Sequence, residues 1–327
     1  MLGILISTRG PKVAPNGVYM LCGISSQRTI FITMQGAKMT LAMAWVRIMP
    51  DGCEELIVAS DSRLSGGGRR IDCVPKILAL PRSDSFICFA GETDYAYPLM
   101  LQAMLAIEGY DRSRSRAMDI REMKGQVLNI FNAMIESVDN QVNRDEVPDV
   151  RFIFGGYSWV RKQFRIWLLE YDKNAGRMVS SRINNRMGNF TRFCFAGDKE
   201  WTKLARKRLG ELLRARYNLR RGASDSQGFD LEPFEVLRDL LREKADDRWC
   251  SIGGPPQVIK VYQHMNARPI GVYWPNKDLG KITVSVRELT GIETTNFWIL
   301  DPDELRTSNL FYSRPTDDEA VVEEIVV

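Results

Sequence analysis

Residues 39–94 run MTLAMAWVRIMPDGCEELIVASDSRLSGGGRRIDCVPKILALPRSDSFICFAGETD, and how this stretch divides decides the fold. Leu41 to Ile48 is a mostly apolar run that ends at the turn signal Pro50-Asp51-Gly52, which predicts a strand. Residues 55–60 (ELIVAS) predict a second strand, ending at Asp61-Ser62-Arg63. Lys76 to Leu80 is a third and shorter one, and Ser85 to Ala90 reads as a buried strand closed by Gly91.

Beyond Gly91 the apolar period changes. Leu99, Met100, Ala103 and Met104 predict a helix over 93–108. Met123, Val127, Ile130, Phe131 and Met134 predict a second over 116–141. Strands follow at 150–155, 163–171 and 190–196, helices at 199–217 and 231–246, and strands at 256–262, 270–273 and 282–286. Strands do not alternate singly with helices, so a doubly wound parallel sheet is disfavoured, and the pattern fits an α+β chain with antiparallel sheets covered by paired helices. Residues 1–39 read as an N-terminal extension, 40–300 as one domain with a long loop at 218–230, and 301–327 as an acidic tail. The tail's last residues, VVEEIVV, fit either an unstructured end or an added edge strand.

Composition excludes several chemistries. The chain has 327 residues, 44% of them hydrophobic, and no apolar run approaches the roughly 18–20 residues that cross a bilayer. The first residues carry no basic segment and no convincing signal cleavage site. Six scattered cysteines with no C-x-x-C pair predict a reducing, cytoplasmic setting without disulfides or zinc. The single histidine, His264, rules out sites built on two, and there is no G-x-S-x-G elbow for a serine triad. No metal or cofactor is expected. No G-K-[ST] follows Gly66-Gly67-Gly68, so this run is not a phosphate loop. A net charge of +4 is too mild to imply nucleic acid. The basic stretch within 199–221, including Lys203, Arg206, Lys207, Arg208, Arg214 and Arg216, fits a solvated or inter-subunit face better than a nucleic-acid site.

Four segments then stand in an informative order: Thr40 at the head of the first strand, Ala59-Ser60-Asp61-Ser62-Arg63, Lys76 before a short apolar strand, and Ala90-Gly91 at the head of a helix. This succession resembles the proteasome β-type family of N-terminal-nucleophile (Ntn) hydrolases, including the peptidase subunit of the bacterial two-component ATP-dependent protease. The likeness covers about Thr40 to Tyr110, continues loosely through 152–171, and returns at 246–254, DDRWCSIGG. It implies an Ntn-like αββα sandwich, two antiparallel sheets between helix layers. It also implies a threonine-type hydrolase of amide, mainly peptide, bonds that works without a cofactor. As partners it implies copies of the same chain in a ring, a polypeptide substrate and an ATP-dependent unfoldase, with no nucleic acid or membrane.

The resemblance assigns Thr40 as nucleophile, Lys76 and Asp61 as its support, Gly91 N–H as oxyanion donor, and Ser251 with Asp247 as the pair ordering the terminal amine. The chemistry suits a chain with one histidine. A threonine hydroxyl needs a base, and an N-terminal threonine brings its own amine, with a pKa of about 7.7–8.0. Thr40 must therefore begin the working chain, either by propeptide removal or by translation from Met39 and methionine trimming. Three departures stand beside the match. Met39 replaces the glycine at the family's cleavage point, Ala196 replaces the serine of its G-S-G, and the turn at Ser251 carries an extra residue on each side. That turn leaves both Asp246 and Asp247 as candidates for one role. A catalytically silent subunit and a small-molecule amidase are the alternative readings.

Overall fold

In a computed structural model of the chain, the described residues are 40–49, 51–66, 69–139, 147–181, 183, 185–217, 228–247, 249–264, 266–290 and 297–309. The 1–39 extension, Gly67-Gly68, most of the 218–230 loop with Arg220 and Arg221, and the tail from 310 onward lie outside them.

The first run holds strands β1 (Leu41–Ile48), β2 (Glu54–Ser60), β3 (Leu64–Gly66), β4 (Arg69–Ile71), β5 (Ile77–Ala79) and β6 (Ser85–Gly91). Helices α1 (Thr93–Glu108), α2 (Asp111–Arg114) and α3 (Ile120–Glu136) come next. Strands β7 (Val150–Ser158), β8 (Gln163–Asp172), β9 (Arg177–Ser181) and β10 (Phe193–Gly197) precede α4 (Lys199–Tyr217) and α5 (Glu232–Glu243). The last third is β11 (Gln257–Tyr262), β12 (Ala267–Trp274), β13 (Lys281–Val284), β14 (Arg287–Glu288), β15 (Ile299–Asp301) and β16 (Arg306–Ser308).

One sheet has nine strands, with β1 between β10 and β2 and then β11, β12, β13 and β14 in order, and with β15 and β16 joined through β12. A second, five-stranded sheet runs β5-β6-β7-β8-β9, and β3 with β4 makes a separate ribbon. Pairing is antiparallel except for β12 with β15. Period-two burial explains how the first sheet is used. Leu41, Met43 and Trp45 pack with Leu209 and Leu213 of α4 and Leu237 and Leu240 of α5, while Ala42, Ala44 and Val46 face Phe86, Cys88 and Ile153 of the five-stranded sheet. On the far side of that sheet, Ile87, Phe89 and Phe152 pack with Leu99 of α1 and Val127 and Phe131 of α3.

The balance of elements and the size of the sheets correct the expected Ntn-like αββα sandwich. Among the described residues strand outweighs helix, 37% to 28%, with five helices against large multi-strand sheets, which does not match a helix–sheet–helix Ntn sandwich. The large sheet is also mixed, through its parallel β12–β15 pair. It continues through β13, β14 and β16, none of which contributes to the three apolar clusters. The physical reason is that strands of two to four residues widen the sheet yet are too short to show a period in sequence. Residues 299–308, part of them read as tail, are the β15–β16 hairpin. The helix expected over 116–141 starts at Ile120, where the Asp119 carboxylate accepts the Arg121 N–H and caps it. Among the described residues no helix is long and apolar enough to cross a membrane.

Candidate functional site

The site forms where β1 and β2 open together. Antiparallel register sets Ala42 opposite Ser60, so Thr40, just before β1, lies beside Asp61, just after β2. On the other flank Leu41 pairs with Gly197 at the end of β10. The Thr40 carbonyl accepts the Asp198 N–H at 3.2 Å, and a Cβ on Gly197, whose φ is +138°, would stand 1.9 Å from that same oxygen.

Asp61 is a hub. One carboxylate oxygen accepts the Leu41 N–H at 3.1 Å and Lys76 Nζ at 2.8 Å, and the other accepts the N–H groups of Arg63 at 3.2 Å and Gly253 at 3.3 Å. Lys76 Nζ also donates to Thr40 Oγ at 3.0 Å. The Lys76 and Asp61 side chains are wholly buried and Thr40 is 3% exposed. Burial pushes the Asp61 carboxyl above the ordinary carboxylate range, and the Lys76 ammonium and the backbone N–H donors pull it down. A threonine hydroxyl, an ammonium and a carboxylate thus form a chain of charge-assisted hydrogen bonds shielded from water.

Gly91 closes β6 at φ +117°, where a Cβ would stand 2.2 Å from the Asp149 carbonyl oxygen. With Gly197, Asp198, Asp149 and Arg151 it lines a cavity of about 330 Å³, bounded at Gly197 by the β10 end that meets Thr40. Arg151 donates to the Gly197 carbonyl at 3.0 Å.

The late turn is brought in by Arg63. Its buried guanidinium forks onto Asp72 at 2.7 and 3.0 Å and donates to the carbonyls of Asp247 at 3.3 Å and Cys250 at 3.0 Å. That clamp holds Gly253 against Asp61. Ser251 is 4% exposed, but its Oγ accepts the Trp201 indole N–H at 2.7 Å. The Asp247 side chain is exposed and caps the Trp249 N–H at 3.0 Å. Thr40, Asp61 and Lys76 therefore meet, Gly91 lies on the adjoining cavity, and Ser251 and Asp247 make no hydrogen bond to the three among the described residues. Trp201 and Gln257 are the participants missed in sequence. Gln257 binds the Lys76 backbone across 181 residues of chain, a separation that leaves no local signal.

Other sequence candidates are placed outside this group. His264 is exposed at the β11–β12 turn. Burial pushes the Cys88 thiol far up and that of Cys194 to about 12, so neither is a thiolate nucleophile near neutrality. Three bases of α4 pair with carboxylates within the chain: Arg208 with Glu243, Arg216 with Glu235 and Glu232, and Lys207 with Glu211. Arg206 reaches Asn185 and lies over the Phe193 and Phe195 rings. Among the described residues no three His, Cys, Asp or Glu side chains group to hold a metal ion. Comparison with protein-family models and with curated proteins finds no match to this chain.

Proposed function

We propose that the chain is a threonine-type hydrolase of amide bonds in peptides, with Thr40 as nucleophile once Thr40 is the first residue. The observation that carries this reading is the buried Lys76 ammonium held between the Thr40 hydroxyl, at 3.0 Å, and the Asp61 carboxylate, at 2.8 Å. An ammonium there favours negative charge developing on Oγ, and Asp61 keeps it oriented.

The free α-amine of Thr40 takes the Oγ proton as Oγ attacks the substrate carbonyl carbon, and the carbonyl oxygen becomes an oxyanion with the Gly91 N–H as donor. The resulting ammonium gives its proton to the leaving nitrogen as the C–N bond breaks, leaving an ester on Oγ. Water, deprotonated by the same amine, hydrolyses that ester and restores the hydroxyl.

A chain produced to begin at Thr40 is expected to cleave fluorogenic peptides, and Thr40→Ala to lower the rate by about 10³-fold or more. Intact mass of the protein made from its native upstream DNA is expected to match a start at Thr40. No cleavage by the Thr40-initiated chain would overturn the reading, whatever the natural start. The second reading, a silent structural subunit, is favoured by Ser251 and Asp247 making no hydrogen bond to Thr40, Asp61 or Lys76 among the described residues. It predicts that inactive outcome.

A further inference from the structure

The lysine at the centre of the site stands on a slight platform. Lys76 precedes β5, which is three residues long and pairs with β6 alone, at the edge of the five-stranded sheet. On that side the Lys76 carbonyl accepts the Phe89 N–H at 3.0 Å. Thr40 and Asp61, the groups Lys76 must reach, belong to the other sheet. Between the sheets lie Ala42, Val58, Ile77 and Cys88, apolar contacts that set no direction for a polar head group.

Gln257, the first residue of β11 in the nine-stranded sheet, bridges this gap. Its carboxamide is buried, with the residue 2% exposed. Oε1 accepts the N–H of Lys76 at 2.8 Å and of Ile77 at 2.9 Å, and Nε2 donates to the Ile77 carbonyl at 2.7 Å. Both lone pairs of the amide oxygen are used. The backbone of the same residue pairs in register with Ser60, the neighbour of Asp61. One residue thus fixes the start of Lys76 with its side chain and the position of Asp61 with its main chain.

We propose that Gln257 is a positioning residue that sets where the Lys76 ammonium lies between Thr40 and Asp61. Its kinetic consequence rests on the hydrolase reading, whereas its geometric content does not. Without the carboxamide, two buried N–H groups lose their acceptor and the Lys76 backbone is held from one side only. Misplacement of a reacting group by about 1 Å can lower a rate about 10²-fold.

The test compares Gln257→Ala and Gln257→Glu in the chain beginning at Thr40. Gln257→Ala is expected to lower kcat by about 10²-fold with little change in KM. A glutamate keeps both acceptor bonds but can donate to the Ile77 carbonyl only when protonated. The activity of Gln257→Glu relative to wild type is therefore expected to rise as pH falls toward the carboxylate range, while that of Gln257→Ala stays flat. Unchanged kcat in Gln257→Ala, or a flat relative profile in Gln257→Glu, would overturn the proposal. If the wild-type chain beginning at Thr40 cleaves nothing, the hydrolase reading has failed by itself, and a crystal structure of Gln257→Ala decides this one. Lys76 Nζ displaced from Thr40 Oγ supports it, and Lys76 Nζ still bonded to both partners overturns it. If Gln257→Ala does not fold, Gln257→Glu above the carboxylate range supplies both measurements.

Discussion

Lys76→Met is expected to lower stability by about 3–5 kcal/mol and to abolish hydrolysis. The substitution keeps most of the side-chain volume, so packing is not the cause. It leaves the Asp61 carboxylate wholly buried without its cation, although still hydrogen-bonded to the N–H groups of Leu41, Arg63 and Gly253. An uncompensated buried charge accounts for the large destabilisation. Adding Asp61→Asn removes the charge and is expected to recover part of the loss in urea midpoint, but not all. An asparagine side chain has a single oxygen, and its NH₂ group would turn toward N–H donors that need an acceptor. Neither variant is expected to cleave peptide. A Lys76→Met protein as stable as wild type would mean that the pair carries little net charge energy. A Lys76→Met protein of full activity would remove the ammonium from the mechanism.

Gly197→Ala is the second large effect. The new Cβ would stand 1.9 Å from the Thr40 carbonyl oxygen and 2.9 Å from its carbon, both backbone atoms that cannot rotate away. The φ of +138° is strained for any side chain. Relief requires β10 to separate from the head of β1, breaking the Leu41–Gly197 register and the bond from the Asp198 N–H to Thr40. A loss of about 3–5 kcal/mol in chemical denaturation is expected. The surviving folded protein is expected to cleave peptide more slowly, because Thr40 loses one of its two flanks. Gly176→Ala is the control: its φ is also positive, at +64°, but no atom lies within 4 Å of the added Cβ. It is expected to cost only about 1 kcal/mol. Equal losses in the two variants would show that dihedral strain, not the clash at Thr40, dominates.

Much of this site was legible in sequence because it is made by short local signals. The apolar run at 41–48, the strand ending before Asp61 and the short strand after Lys76 each announce a place where a polar side chain leaves a sheet. Their order along the chain carries the family resemblance, and it is the resemblance that groups Thr40, Asp61 and Lys76. The remainder depends on distance. Gln257 meets Lys76 and Ile77, Trp201 meets Ser251, and Arg63 meets the carbonyl of Asp247, each across at least 50 residues. A lone glutamine at a strand start or a tryptophan in a helix's first turn carries no mark of such a partner. Asp247 and Ser251, which the resemblance assigns to ordering the terminal amine, are likewise engaged at a distance: Arg63 takes the Asp247 carbonyl and Trp201 donates to the Ser251 hydroxyl. The extent of the sheets was misjudged because strands as short as Arg287–Glu288 have too few residues to display a period, yet they widen a sheet.

The Asp61 hub also has a consequence for synthesis. Its four donors come from positions 41, 63, 76 and 253, so three are present soon after the chain emerges and the fourth is separated from Asp61 by 192 residues. A ribosome that has made only the first half of the protein has produced Thr40, Asp61 and Lys76 but cannot close the hub around them. The hub is therefore completed only once residue 253 has been made, and a chain that stops before it lacks one of the four donors to Asp61.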